Sequence, residues 1–223
     1  MSDDGGRTWG HTFTIDSGSE PNLAISNGVF LSHAGRLHAF MGAFYRTMDK
    51  VHTRSYELDE ASGRWKPLEV IIEGGFWPMQ EPQRMDNGNW IMAGISARGD
   101  CSAGGVHPAA VAISRGDDFM TWDLVVIPVA EGLGNVWGES TVVTQGRRIT
   151  SIARYGAEPR ALVATSDDYG RTWTPLRQSN LPMTTSKPYA GRLSTGELRT
   201  RAVARCGSVR GAHCGTTTAV NWP

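Results

Sequence analysis

Apolar residues along the chain fall in short runs set off by glycine turns, not in long amphipathic stretches. Arg36–Met41, Asn89–Gly94 and Arg148–Ala153 are β-prone runs, each opening just after a turn glycine, Gly35, Gly88 or Gly146. Leu124–Ile127 is a fourth apolar run and stops at Pro128. No segment sustains helical periodicity beyond a turn or two, so the pattern predicts an all-β protein. The turn glycines, completed by Gly196, are spaced by 53, 58 and 50 residues, which points to one repeated supersecondary unit.

A second set of marks runs in step with the first. Ser166-Asp167-Asp168-Tyr169-Gly170-Arg171-Thr172-Trp173 and Ser2-Asp3-Asp4-Gly5-Gly6-Arg7-Thr8-Trp9 share the pattern Ser-x-Asp-x-Gly-x-Thr-Trp. Degenerate copies occupy Asp59–Trp65 and Ser114–Trp122, so the tryptophans stand at 9, 65, 122 and 173. The residue types suit a hairpin turn. Ser and Asp side chains accept hydrogen bonds from nearby amides, Gly supplies positive φ, and Trp offers an apolar face for packing.

This motif resembles the Asp-box, or bacterial neuraminidase repeat, of the sialidase superfamily of β-propellers. The resemblance implies a partial six-bladed propeller of four-stranded antiparallel sheets, with about four blades' worth of marks present. Ser2, Asp4, Gly6, Trp9, Ser166, Asp168, Gly170 and Trp173 are read as scaffold. The propeller is expected over residues 1–197. Residues 198–223 carry four arginines, no acid and two of the three cysteines, and are expected to be non-native propeller sequence or a disordered tail.

Lysine plus arginine and aspartate plus glutamate balance at 22 each, so no footprint for nucleic acid or an anionic membrane is present. No apolar run approaches the roughly 20 residues of a membrane span. Cys101, Cys206 and Cys214 make neither a disulfide framework nor a zinc spacing, and no histidine pair suggests a metal. No metal or cofactor is expected. The composition leaves the compartment open.

Candidate chemistry gathers in Trp137-Gly138-Glu139-Ser140, which leads through the Gly146 turn to Ile152-Ala153-Arg154. This stretch looks like the Glu-to-Arg segment of bacterial exo-sialidases. The likeness continues through Pro159–Ala164 to Asn180-Leu181-Pro182. By that resemblance Glu139 is general base to a tyrosine nucleophile and Arg154 one of three arginines that clamp the substrate carboxylate. A phenol is a suitable nucleophile at a carbon bearing a carboxylate, where an attacking carboxylate meets like-charge repulsion. Guanidinium forks bind a carboxylate bidentately at any working pH.

Arg46, Arg98 and Arg154 follow their turn glycines by 11, 10 and 8 residues, so all three are candidates for a shared anionic pocket. Trp77 and Trp137 are candidate sugar platforms. Tyr189 is not expected to be the nucleophile, because it stands one blade too early for the resemblance, and Arg160 is unassigned. The family's other arginines, its acid/base aspartate and its tyrosine fall outside the matching stretch. The expectation is a fragment of an exo-acting glycoside hydrolase on sialic acid or a related acidic sugar, itself without appreciable turnover. Two rivals stand: a non-catalytic carbohydrate- or protein-binding propeller, and an enzyme with another acidic sugar or a lyase chemistry.

Overall fold

A computed structural model describes residues 2, 4–10, 12–18, 20–98, 105–192 and 198–201. All three cysteines and most of the tail from residue 198 lie outside them. Among the described residues there is no helix, and the strands form successive antiparallel sheets. The described strands form successive blades of a β-propeller.

The first blade holds β1 (Leu23–His33), β2 (Arg36–Tyr45), β3 (Asp49–Asp59) and β4 (Arg64–Ile72), paired in that order. In the second, β5 (Phe76–Pro78) and β6 (Gln83–Arg84) form a broken inner strand beside β7 (Trp90–Ser96). Then come β8 (Val106–His107), β9 (Ala109–Arg115) and β10 (Asp118–Val126), of which β9 and β10 complete the second blade. The third runs β11 (Val136–Gln145), β12 (Arg148–Tyr155), β13 (Arg160–Ser166) and β14 (Arg177–Pro182), with β8 added parallel to β11. A further pair, β15 (Tyr189–Arg192) and β16 (Leu198–Arg201), begins the next blade and carries the pairing four residues past residue 197.

Blades are glued face to face by apolar side chains. Alternate residues of β7 and β9 point to opposite faces. Ile91, Ala93, Val111 and Ile113 pack toward Val142, Ile149 and Leu162 of the third blade. Trp90, Met92, Ala110 and Ala112 pack toward Phe40 and Ile72 of the first. Burial on both faces explains why these strands read as runs instead of alternating. Each fully buried Ile or Leu contributes about 1.5–3 kcal/mol.

The box motifs are hairpin turns. Asp168 Oδ1 accepts from the backbone N–H of Arg171 at 3.0 Å and of Thr172 at 2.8 Å, while Thr172 Oγ1 donates to Oδ2 at 2.6 Å. Ser166 Oγ accepts from Gly170 N–H at 2.9 Å, and the Trp173 indole donates to the Gly170 carbonyl at 2.8 Å. Asp4, Ser2, Gly6 and Trp9 reproduce the same bonds in the first box. Gly170 and Gly6 take φ of 83° and 84°. The degenerate copy ending in Trp122 keeps the indole bond, to the Phe119 carbonyl.

Antiparallel order decides where everything else lies. The glycine turns and the boxes share one end of the blades. Starts of inner strands and ends of second strands share the other, and that end carries Glu139, Arg154, Arg98 and Arg46.

Candidate functional site

Glu139 and Arg154 meet because of a β-bulge. Between Val136 and Ser140 the register of β11 against β12 shifts: Val136 pairs with Tyr155 and Ser140 with Ala153, so three residues oppose Arg154. Trp137 pairs instead with His107 of β8. Gly138 is pressed against the following turn, where a Cβ would come within 2.3 Å of the Ala109 nitrogen. Only glycine fits there, and the bulge re-aims the next side chain. Arg154 Nη1 donates to Glu139 Oε2 at 2.6 Å, with side chains 30% and 17% exposed. Arg154 Nε is buried and finds no acceptor among the described residues. Such an unsatisfied donor is rare outside functional or strained positions.

A second carboxylate joins from the second blade. Buried Gln80 follows β5, and its amide accepts from Val142 N–H at 2.7 Å and donates to the Ala190 carbonyl at 2.7 Å. One side chain thus ties three blades together and fixes its neighbour, Glu81, facing β15. Tyr189 donates to Glu81 Oε1 at 2.6 Å. That bond, with partial burial, pushes the phenol up to about 12, so it is a neutral donor at working pH. Lys187 interacts electrostatically with both Glu139 and Glu81. Its ammonium titrates below the ordinary lysine value because lost hydration outweighs the pull of the two carboxylates. The site is therefore two acids, two cations and a phenol at the open end of the inner strands. It can hold a polyhydroxylated ligand and pair with one charged group on it.

The other expected residues lie elsewhere on this end. Arg98 is exposed, and its Nε donates to the Gly74 carbonyl at 2.6 Å, beside a pocket between the first two blades. Arg46 is exposed in the β2–β3 turn with φ of 49°. Neither contacts Arg154 among the described residues. Trp77 is a wedge between blades: its ring lies where a Gly42 Cβ would be 2.2 Å away, and its N–H donates to the Asn27 carbonyl at 3.1 Å. Trp137 is half-buried, with its ring edge-on to His107 at 4.7 Å. Glu81 and Lys187 were not singled out in the sequence. The signal available was Tyr189 and Lys187 opening a strand, but only blade stacking shows their partner.

Among the described residues no group of three His, Cys, Asp or Glu side chains is placed to hold a metal ion. Nor is any helix long and apolar enough to cross a membrane.

A family model for the BNR repeat-like domain matches residues 1–204. No curated protein matches. Among solved structures, the Hadza microbial sialidase Hz136 aligns with a TM-score of 0.66 at 16% identity, over 90% of this chain and 45% of that one. A protein of unknown function from Dyadobacter fermentans DSM 18053 aligns with a TM-score of 0.58 at 16% identity, over 80% and 56%. The Penicillium chrysogenum alpha-L-arabinanase, solved with arabinobiose, aligns with a TM-score of 0.55 at 18% identity, over 75% and 54%. The chain spans about half the length of each of these structures, and the likeness is one of fold.

Proposed function

The chain belongs to the BNR repeat-like domain family, matched over residues 1–204, and from that premise we propose that its Glu139–Arg154 site recognises sialic acid or a related acidic sugar. In the whole protein the reaction is glycoside hydrolysis. One observation carries the reading: an arginine and a glutamate from adjacent strands are brought to 2.6 Å by a bulge at the end of the blades where inner strands begin. A substrate carboxylate exchanges with Glu139 on the guanidinium of Arg154, which offers it a fork of parallel N–H groups. Glu139, released, is then an unpaired carboxylate beside the substrate, able to accept a proton. Lys187 adds a second positive charge.

Tyr189 is left out of the nucleophile role because it stands one blade too early for the family resemblance; its hydroxyl donates to Glu81 at 2.6 Å. With no nucleophile assigned, the second reading is a propeller that binds acidic sugar without cleaving it. Calorimetric titration of residues 1–223 with N-acetylneuraminic acid tests recognition. Arg154→Met is expected to weaken binding at least about tenfold, as the loss of a charge-assisted pair implies. Glu139→Gln is expected to retain or tighten it, because the competing carboxylate is gone. Binding indifferent to Arg154 sinks the proposal. A fluorogenic sialoside separates the two readings, with negligible turnover expected from this chain.

A further inference from the structure

Between the first and second blades, at the same end of the sheets, lies a pocket of about 420 Å³, a size that suits a small sugar. None of its lining residues belongs to the Glu139–Arg154 site. One wall is a closed hydrogen-bond network. Glu20 accepts from the Tyr45 hydroxyl at 2.5 Å and pairs with Arg54. Arg54 Nε in turn donates to His52 Nε2 at 3.2 Å. His52 Nδ1 lies 2.7 Å from the Lys50 carbonyl, and the ring stacks on Tyr45 at 5.8 Å. A wall wired in this way is held in place before any ligand arrives.

The facing wall is backbone and charge. Gly74 and Gly75 take φ of 81° and 93°, which only glycine adopts without strain, and Arg98 is anchored to the Gly74 carbonyl. Beside the first wall the β2–β3 turn and the first residues of β3 place Arg46, Met48 and Lys50 at φ of 49°, 65° and 51°. Three non-glycine residues in the left-handed region within five positions is local strain of the kind that collects at ligand sites. Charges do not cancel. Arg54 is matched by Glu20, which leaves Lys50 and Arg98 against Glu73 among the described lining residues.

We propose that this pocket binds a carboxylated sugar, such as a hexuronic acid, with Arg98 and Lys50 holding the carboxylate and Tyr45 contacting the ring. Arg98 supplies the fork and Lys50 a mobile point charge. Tyr45, Val70 and Ala97 give the apolar surface that the carbon face of a pyranose needs, and Glu73 accepts from its hydroxyls. The pocket does not depend on the function proposed for Glu139 and Arg154.

The test is amide NMR of the full chain with glucuronic acid, glucose serving as the neutral control. Glucuronic acid is expected to shift the Gly74 and Gly75 amides, and glucose to leave them unmoved. A Lys50→Met, Arg98→Met double variant is expected to weaken the response at least tenfold. Both side chains are exposed, so the core is untouched and the remaining spectrum reports that the variant is folded. Arg154→Met is expected to leave the Gly74 and Gly75 response intact. An absent response, an equal response to glucose, or its loss in Arg154→Met overturns the proposal. The reading of the other site is scored separately, at Gly138 with N-acetylneuraminic acid.

Discussion

Asp168 and Asp4 each gather two backbone amides and a threonine hydroxyl around one carboxylate. At Asp168 burial acts in the opposite sense, but the bonds from Thr172, Ser166 and Arg171 prevail and hold it at about 2, below the ordinary 3.8. Asp4, held by Thr8, Ser2 and Arg7, also lies at about 2. A carboxylate depressed in the folded state adds stability that is fully present above its unfolded pKa and lost as pH falls through the folded one. The boxes therefore weaken between about pH 4 and pH 2 and are insensitive to pH above that, which an acid titration of the folded fraction reads directly. Asp168→Asn removes the charge and part of the acceptor set; we expect about 2 kcal/mol lost in urea unfolding. Asp4→Asn is expected to cost less, because Trp9 is 74% exposed while Trp173 packs against the core. These motifs were legible in the sequence because every bond spans at most four residues. The placement of Glu139 and Arg154 on neighbouring strands across one turn was legible too. Glu81 and Tyr189 were not: 108 positions separate them, and no local pattern encodes which blades touch.

At the scale of strands, the runs read from the sequence fall on observed strands but miss their ends, Leu124–Ile127 covering only the close of β10. Arg36–Met41 extends to Tyr45 and Arg148–Ala153 to Tyr155. Buried Ala43 and Tyr155 continue the ladders past the points where the runs stop, because a run of residue types carries no mark of where its pairing ends. The bulge at Trp137–Glu139 was invisible for a related reason: its cause is the β8–β9 turn packed on Gly138, not the local residue pattern. Gly138→Ala forces a Cβ against backbone, so we expect about 1–3 kcal/mol of destabilisation from overpacking and a loosened Glu139–Arg154 contact. A variant as stable as the parent, with unchanged sugar affinity, contradicts that role. Gln80 is the other element-scale device. Gln80→Leu keeps the volume but strands Val142 N–H, a loss of about 2 kcal/mol with faster hydrogen exchange at Val142. Unchanged exchange there means that the remaining contacts, among them Ala190 N–H to Thr141 Oγ1 at 2.9 Å, hold the seam without it.

For the whole molecule, stacking is what builds the site. Glu139 and Arg154 come from the third blade, Glu81 from the second and Tyr189 from the strand that opens the next, so no single repeat contains the cluster. The boxes sit at the opposite end of the sheets, which separates the scaffold motif from the chemistry and explains why the motif indicates fold more directly than reaction. The all-β class was readable from the run-and-turn pattern, and the propeller from the box motifs. The expected convergence of Arg46, Arg98 and Arg154 rested on equivalent blade positions, yet only Arg154 meets a carboxylate across a strand pair. Arg98 turns to the Gly74 carbonyl, and Arg46 stands in a strained turn. Equivalent positions on successive blades share an end of the molecule without sharing a pocket.

The central claim is recognition of a sugar carboxylate by Arg154. The most direct test is to titrate the isotope-labelled chain with N-acetylneuraminic acid and, in parallel, with its methyl ester, following the Gly138 and Gly156 amides. The account predicts saturable shifts with the acid, a response at least tenfold weaker with the ester, and loss of the difference in Arg154→Met. Equal responses to acid and ester, or none to either, contradict it.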